Sequence, residues 1–104
     1  MRRPVLPGDV SAVARALLAV GPDQRTAVLN SVFDGAALAQ AAVEKGGALH
    51  EVWGNGSLDA AARGFALADE PPLDNWAYLC CMINVLQELQ RRTQGPEGPS
   101  AMKG

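Results

Sequence analysis

A glycine-rich stretch in the middle of the chain constrains the fold most, because the helical pattern of apolar residues stops before it and resumes after it. Residues 46–57 hold four of the eleven glycines, the single histidine and one of the two tryptophans. The pair Gly46-Gly47 follows a periodic segment and predicts a helix stop, since glycine adopts positive φ at little cost. The chain is therefore expected to be helical on both sides of an ordered central loop.

The end of this stretch predicts a tight turn that leads into a capped helix. Gly54, Asn55 and Gly56 are residue types that adopt left-handed conformations cheaply. Ser57 comes next, and serine is a preferred N-cap whose hydroxyl accepts a hydrogen bond from the first helical turn. An alternative interpretation is an anion site at residues 54–57, where Arg63 would assist free amides. Arg63 also lies four residues after Asp59, which is the spacing of an ordinary surface ion pair.

Two side chains of the loop are candidates for function. Trp53 is either a core plug or an exposed binding anchor, and the plug is favoured because a loop of this length needs an anchor. His50 is the only side chain whose ordinary pKa lies near neutrality. No serine elbow, carboxylate pair or metal set accompanies it, so catalysis by His50 is the weaker alternative and no catalytic residue is assigned.

Periodicity and stop signals predict an all-α fold, a single compact domain of about four helices with the glycine-rich loop at its centre. The helical domain is expected at residues 1–93 and a disordered tail at 94–104, where the composition is too poor in apolar residues to fold. Asp34-Gly35 is a possible break, but we predict one long second helix because an alanine-rich run follows. The expected helices are about 9–20, 22–45, 57–66 and 75–92.

The last helix is apolar most of the way round, which predicts that it is central or shared with a partner. We expect its core stripe to be Trp76, Leu79, Met82, Ile83, Leu86 and Leu89. We expect Tyr78, Cys81 and Val85 to remain partly exposed and to form an interface, with a two-fold homodimer as the simplest partner. The alternative is that Val5 and Leu6 of the N-terminal arm cover that side within one chain.

Charge and cysteine content exclude several classes of protein. The net charge of −2 gives no electrostatic footprint for nucleic acid, and no apolar run is long enough to span a membrane. Cys80 and Cys81 are adjacent on a helix, where their side chains diverge, so we expect buried thiols and no metal site or cofactor. Abundant alanine and a short, interrupted apolar run near the N terminus predict a bacterial, cytoplasmic protein.

The segment Leu49-His50-Glu51-Val52-Trp53-Gly54-Asn55-Gly56-Ser57-Leu58 resembles the signature of a family of short uncharacterised bacterial proteins, a domain of unknown function. Residues 1–20 and 72–74 resemble the same family, so the likeness covers residues 1–92. The resemblance implies no activity.

Three functions follow from these patterns. The preferred one is a small non-enzymatic interaction or adaptor protein that binds through the last helix or the loop. The others are a small-ligand or anion-binding module at residues 54–57 and an enzyme that uses His50. A concave surface with convergent polar groups around His50 would favour the last two.

Overall fold

The computed structural model describes residues 4–46, 50 and 53–94, and within them the chain forms four α-helices. These are α1 (Pro7–Leu18), α2 (Arg25–Gly46), α3 (Leu58–Ala62) and α4 (Trp76–Gln94), and a 3-10 turn at Pro22–Gln24 leads into α2. The predicted all-α, single-domain fold is confirmed. Of the predicted tail at 94–104, Gln94 still belongs to α4, and residues 95–104 lie outside the described residues.

Local chemistry explains where the helices begin and end. The helix α1 begins at Pro7, earlier than predicted, because a carboxylate oxygen of Asp9 accepts a hydrogen bond from the backbone N–H of Leu6 at 2.8 Å. The helix α2 continues through Gly35 without a break, as predicted. Both predicted caps are confirmed, with Ser57 accepting from the backbone N–H of Ala60 and Asn75 from that of Tyr78, each at 3.0 Å.

The helix α3 is shorter than the predicted 57–66, because it ends at Ala62 and the chain then turns through Gly64. The predicted buried face nevertheless holds at Leu58, Ala61 and Ala62, and Phe65 packs against the core from the turn that follows. A short helix therefore still contributes a complete apolar face to the core.

The helix α1, not α4, is the central element of the fold. It contacts α2, α3 and α4, and Ala12, Ala14 and Ala16 on it are fully buried. Small side chains let other helices approach closely on several sides of α1. The prediction that the last helix is the most central is wrong, because α4 packs mainly against α1 and leaves one of its own sides to solvent.

The helix α4 buries the side that the sequence pattern assigned to solvent. The side chains of Tyr78, Cys81 and Val85 are 1%, 0% and 0% exposed, so their predicted exposure is wrong. Trp76, at 77% exposed, and Leu86, at 49%, belong to the predicted core stripe but face outward. Both sides of α4 are apolar, and periodicity alone does not say which side meets α1.

Tyr78 shows why this side is buried. Its hydroxyl lies 2.9 Å from the Ser11 hydroxyl and donates to a Glu70 carboxylate oxygen at 3.3 Å. Hydrogen bonds offset the cost of removing the Tyr78 hydroxyl from water, so its large ring can be buried in the core, whereas the indole of Trp76 remains at the surface.

Candidate functional site

The loop before α3 is closed by a pair of backbone hydrogen bonds around a turn. The N–H of His50 donates to the carbonyl of Gly54 at 2.9 Å, and the N–H of Gly54 donates to the carbonyl of His50 at 3.0 Å. Gly54 and Gly56 have φ of +84° and +99°, which confirms the predicted left-handed glycines. Gly56 also lies against α2, since a Cβ added there would be 3.0 Å from Cα of Gln40.

The His50 imidazole takes part in the hydrogen bonding of this turn. Its Nδ1 accepts a hydrogen bond from the backbone N–H of Trp53 at 3.1 Å, and the side chain is half-buried. A neutral imidazole that accepts at Nδ1 carries its proton on Nε2. The geometry thus uses His50 to stabilise the turn.

Trp53 anchors the loop against α2, as the plug interpretation predicted. Its indole occupies the space above Gly35, where an added Cβ would come within 2.3 Å of the ring. The ring also contacts Phe65, with centroids 6.2 Å apart at an angle of 37°. Glycine in the middle of α2 is therefore required by a close approach of an aromatic ring. Leu49 and Val52, whose apolar side chains are also expected to point into the core, fall outside the described residues.

Three of the amides that could hold an anion at the start of α3, those of Ser57, Asp59 and Ala60, already have partners within the chain. Asn55 Oδ1 accepts from the N–H of Ser57 at 3.0 Å, and Ser57 itself caps Ala60. The N–H of Asp59 donates to Asp9 Oδ1 at 2.9 Å, and Asp9 is only 7% exposed. One buried carboxylate therefore connects the beginnings of α1 and α3.

The sequence pattern did not single out Asp9, although an acid near the start of a helix is favoured by the helix dipole. Its second partner, the N–H of Asp59, comes from a segment 50 residues away, which only the fold reveals. Arg63 pairs with Asp59 at 3.0 Å, and this confirms the predicted surface ion pair.

A groove of about 300 Å³ separates α2 from the C-terminal end of α4. Gly56 and Ser57 form part of its wall, together with Phe33 and Arg92. His50, Trp53, Asn55 and Arg63 do not line it. This groove therefore contains two of the predicted site residues, Gly56 and Ser57, whereas His50, Trp53, Gly54 and Asn55 lie in the loop and Arg63 directly follows α3.

A polar network closes the C-terminal end of α4. The carboxylate of Glu88 pairs with both Arg91 and Arg92, and Arg92 continues to Asp34 of α2 at 2.9 Å. The Arg92 guanidinium also lies over the Phe33 ring, 5.1 Å from its centroid. The hydrogen bond from Arg91 lowers the pKa of Glu88, with Arg92 adding to the effect and burial opposing it. This network joins α4 to α2.

The segment between α3 and α4 is held along α1 by polar contacts. Arg15 Nε donates to the carbonyl of Ala68 at 2.7 Å, and the N–H of Ala68 donates to the carbonyl of Arg15 at 3.1 Å. Ser11 also donates to Glu70 at 3.2 Å. These contacts fix where α4 starts and therefore which side of α4 meets α1.

The side of α4 away from α1 is an exposed apolar surface. It consists of Trp76, Ile83 and Leu86, together with Leu73 just before the helix, and we call these four residues the α4 outer face. Their exposed fractions range from 45% at Ile83 to 77% at Trp76. Leu79 lies between them and is partly buried. The surplus apolar surface that the sequence predicted on the last helix exists, but on the opposite side.

Within the described residues, no group of three or more histidine, cysteine or acidic side chains lies close enough together to bind a metal ion. Cys81 is fully buried, and burial raises the pKa of its thiol, while Cys80 is partly exposed. None of the helices in the described ranges combines the length and hydropathy needed to span a membrane.

Comparison with protein families matches residues 3–89 to the family "Domain of unknown function (DUF7742)". The chain belongs to this family. The match spans α1 to α3, the central loop and most of α4, so membership in a family of unknown function is confirmed. The comparison finds no significant match among curated proteins or solved structures. Family membership therefore leaves the function to be inferred from the surfaces described above.

Proposed function

We propose that this protein is a small non-enzymatic interaction protein that binds a protein partner through the α4 outer face. The observation that supports this most is the exposure of Trp76, Ile83 and Leu86 on one side of a helix whose opposite side forms the core. Contiguous exposed apolar patches on a folded domain are typical of protein interfaces. We further propose that the protein acts in the bacterial cytoplasm.

Trp76 is the expected centre of this interface. Tryptophan is enriched among residues that dominate binding energy, because it buries a large area with little loss of side-chain freedom. At 77% exposed, the indole has most of its surface available to a partner. Ile83 and Leu86 lie two and three helical turns further along and extend the apolar surface.

The groove beside Gly56 and Ser57 supports a second candidate function, the binding of a small ligand. Its volume of about 300 Å³ lies at the lower limit of small-molecule pockets, and its wall combines apolar side chains with Gln40, Ser57 and Arg92. Arg92 is already paired with two carboxylates, so the groove presents little net positive charge to an anion. This makes the groove the weaker candidate.

Photo-crosslinking in cells tests the main proposal. A photoreactive residue replaces Trp76 in one variant and Asn30, an exposed residue of α2, in the matched control. We expect ultraviolet light to give a discrete protein adduct from position 76 and none from position 30. Equal labelling at the two positions, or no adduct at either, would contradict binding through the α4 outer face.

A further inference from the structure

We infer that the partner of the α4 outer face is the same face of a second copy, packed antiparallel, with Asp74 of each copy beside Arg91 of the other. This inference rests on the proposed function and adds the identity and orientation of the partner. It depends on three features of α4: the spacing of the apolar residues, the charges at the two ends and the length of the face.

The spacing of the residues along this side of α4 suits a helix pair. Trp76, Leu79, Ile83, Leu86 and Gln90 follow one another at steps of three and four residues. Alternation of three and four is the pattern of a narrow seam between two helices. The seam covers only two repeats, so it is too short for an independent coiled coil. On α4 it is carried by a folded domain, which supplies the helix already formed.

The charges at the two ends decide the orientation. Asp74 precedes Ile83 by nine residues and Arg91 follows it by eight, so the two lie at nearly equal distances from the middle of the face. Two antiparallel copies that cross at Ile83 bring Asp74 of one copy to Arg91 of the other, and two-fold symmetry forms this pair twice. A parallel pair would oppose like charges at both ends and align the helix dipoles unfavourably.

Asp74 and Arg91 cannot satisfy each other within one copy. Asp74 lies just before the helix and Arg91 near its end. At about 1.5 Å per residue, the helix from Trp76 to Arg91 alone spans about 22 Å. The Arg91 side chain is 67% exposed where it pairs with Glu88, which leaves donors directed at solvent. A charge pair between copies is therefore available without breaking the contact to Glu88.

The face is small, and this sets the expected affinity. The apolar part runs from Trp76 to Leu86, about 15 Å of helix. One such face per copy buries less than a standard interface, so we expect a reversible dimer with a Kd in the range of roughly 1–100 µM. Gln90 extends the contact, because a crossing at Ile83 places it opposite Trp76 of the other copy.

Sedimentation equilibrium of the purified full chain over this concentration range tests the inference. Asp74→Arg and Arg91→Asp should each raise the Kd of the dimer about tenfold, because each places like charges together at two symmetric positions. The double variant Asp74→Arg/Arg91→Asp should return the Kd to within about threefold of the parent. Ile83→Glu should abolish the dimer, whereas Leu38→Glu, at an exposed leucine of α2, should not. Circular dichroism spectra of the variants, compared with that of the parent, serve to check that each variant is folded.

Each outcome separates this inference from the proposed function. A monomer at all concentrations overturns the second copy as partner, while a crosslink from position 76 to another protein would still support the proposed function. A dimer that Ile83→Glu disrupts but the double charge variant does not restore overturns the antiparallel orientation. A dimer insensitive to Ile83→Glu places the contact elsewhere and overturns the inference.

Discussion

At the scale of single residues, Gly35 shows how a side chain that is absent shapes the fold. Glycine inside a helix costs about 1 kcal/mol relative to alanine, so an interior glycine in α2 needs a reason. The reason is Trp53, whose indole would meet an added Cβ at 2.3 Å. Sequence patterns identified Trp53 as a plug and Gly35 as an irregularity, but nothing in the sequence indicated that the two form one contact.

The first prediction is whether Gly35→Ala raises or lowers the free energy of unfolding. In the parent chain this substitution should lower the free energy of unfolding by more than about 1 kcal/mol, because the clash with Trp53 outweighs the gain in helix propensity. In a Trp53→Ala background the same substitution should be stabilising, by up to about 1 kcal/mol. Urea titrations of the four proteins measure both values. A destabilising effect in both backgrounds would show that Trp53 is not the cause.

A second prediction at this scale concerns Gly56. Gly56→Ala should destabilise the fold by more than about 1 kcal/mol, since alanine at positive φ is strained and its Cβ would press on Gln40. Gly8→Ala is the matched control, because Gly8 has no neighbouring atom within 4 Å of an added Cβ. Gly8 lies in the first turn of α1, so the control should leave stability unchanged or raise it by up to about 1 kcal/mol in thermal melts. Equal effects of the two substitutions would contradict the strained turn.

At the scale of elements, α4 shows what periodicity can and cannot determine. The existence of α4 and its cap at Asn75 were predictable, because an apolar helical pattern and a capping residue are local signals. The side that faces the core was not, because both sides are apolar. Contacts with distant partners such as Ser11 and Glu70 decide it. The same reasoning applies to Asp9. Its place near the start of α1 could be predicted from the sequence, but its hydrogen bond to the start of α3 could not.

A pair of adjacent residues tests this orientation. Val85→Ala should cost about 1–3 kcal/mol of unfolding free energy, since Val85 is fully buried and its removal leaves a cavity. Leu86→Ala removes a larger side chain, yet it should cost less than about 1 kcal/mol in the monomer, because Leu86 is exposed. Chemical denaturation at low micromolar concentration measures both. A larger loss for Leu86→Ala would reverse the assignment of the two sides.

The network at the end of α4 predicts a dependence of stability on pH. The pKa of Glu88 is lower in the folded protein than in the unfolded chain, so the folded state binds this proton less readily. The contribution of Glu88 is therefore complete above the ordinary glutamate pKa of about 4.3 and is lost as the pH falls through the lowered value. Its size should be about 1 kcal/mol or less, since Arg91 is largely exposed.

Glu88→Gln should make the acid side of the stability curve shallower. Melting temperatures measured from about pH 7 to pH 3 compare the variant with the parent, and the gap between them should narrow as the pH falls. Asp69→Asn, at an exposed residue between α3 and α4, serves as the control. A gap that stays constant or widens toward acid pH would contradict a lowered Glu88 pKa.

At the scale of the whole molecule, the burial of Cys81 between α4 and α1 makes its thiol a reporter of global unfolding. Its sulfur is enclosed and its pKa is raised by burial, so little reactive thiolate is present in the folded state. In the Cys80→Ser variant, Cys81 should be alkylated near pH 8 at a rate proportional to the unfolded fraction. In the Cys81→Ser variant, the partly exposed Cys80 should be alkylated in the folded state. Mass spectrometry of both variants over a urea series below the transition measures this. Equal rates for the two thiols would show that the α1–α4 contact opens locally.

The packing of the Trp53 indole against Gly35 also has a consequence for small-molecule binding. Replacing Trp53 by alanine removes an indole from a notch whose floor is a glycine, and the vacated space matches a free indole molecule. Because a compound that binds only the folded state stabilises it by mass action, indole added at millimolar concentration should raise the melting temperature of Trp53→Ala. The parent chain, whose notch is filled, should not respond. The space above Gly35 that Trp53 fills in the parent chain would thus become a binding site for an aromatic ligand in the Trp53→Ala variant.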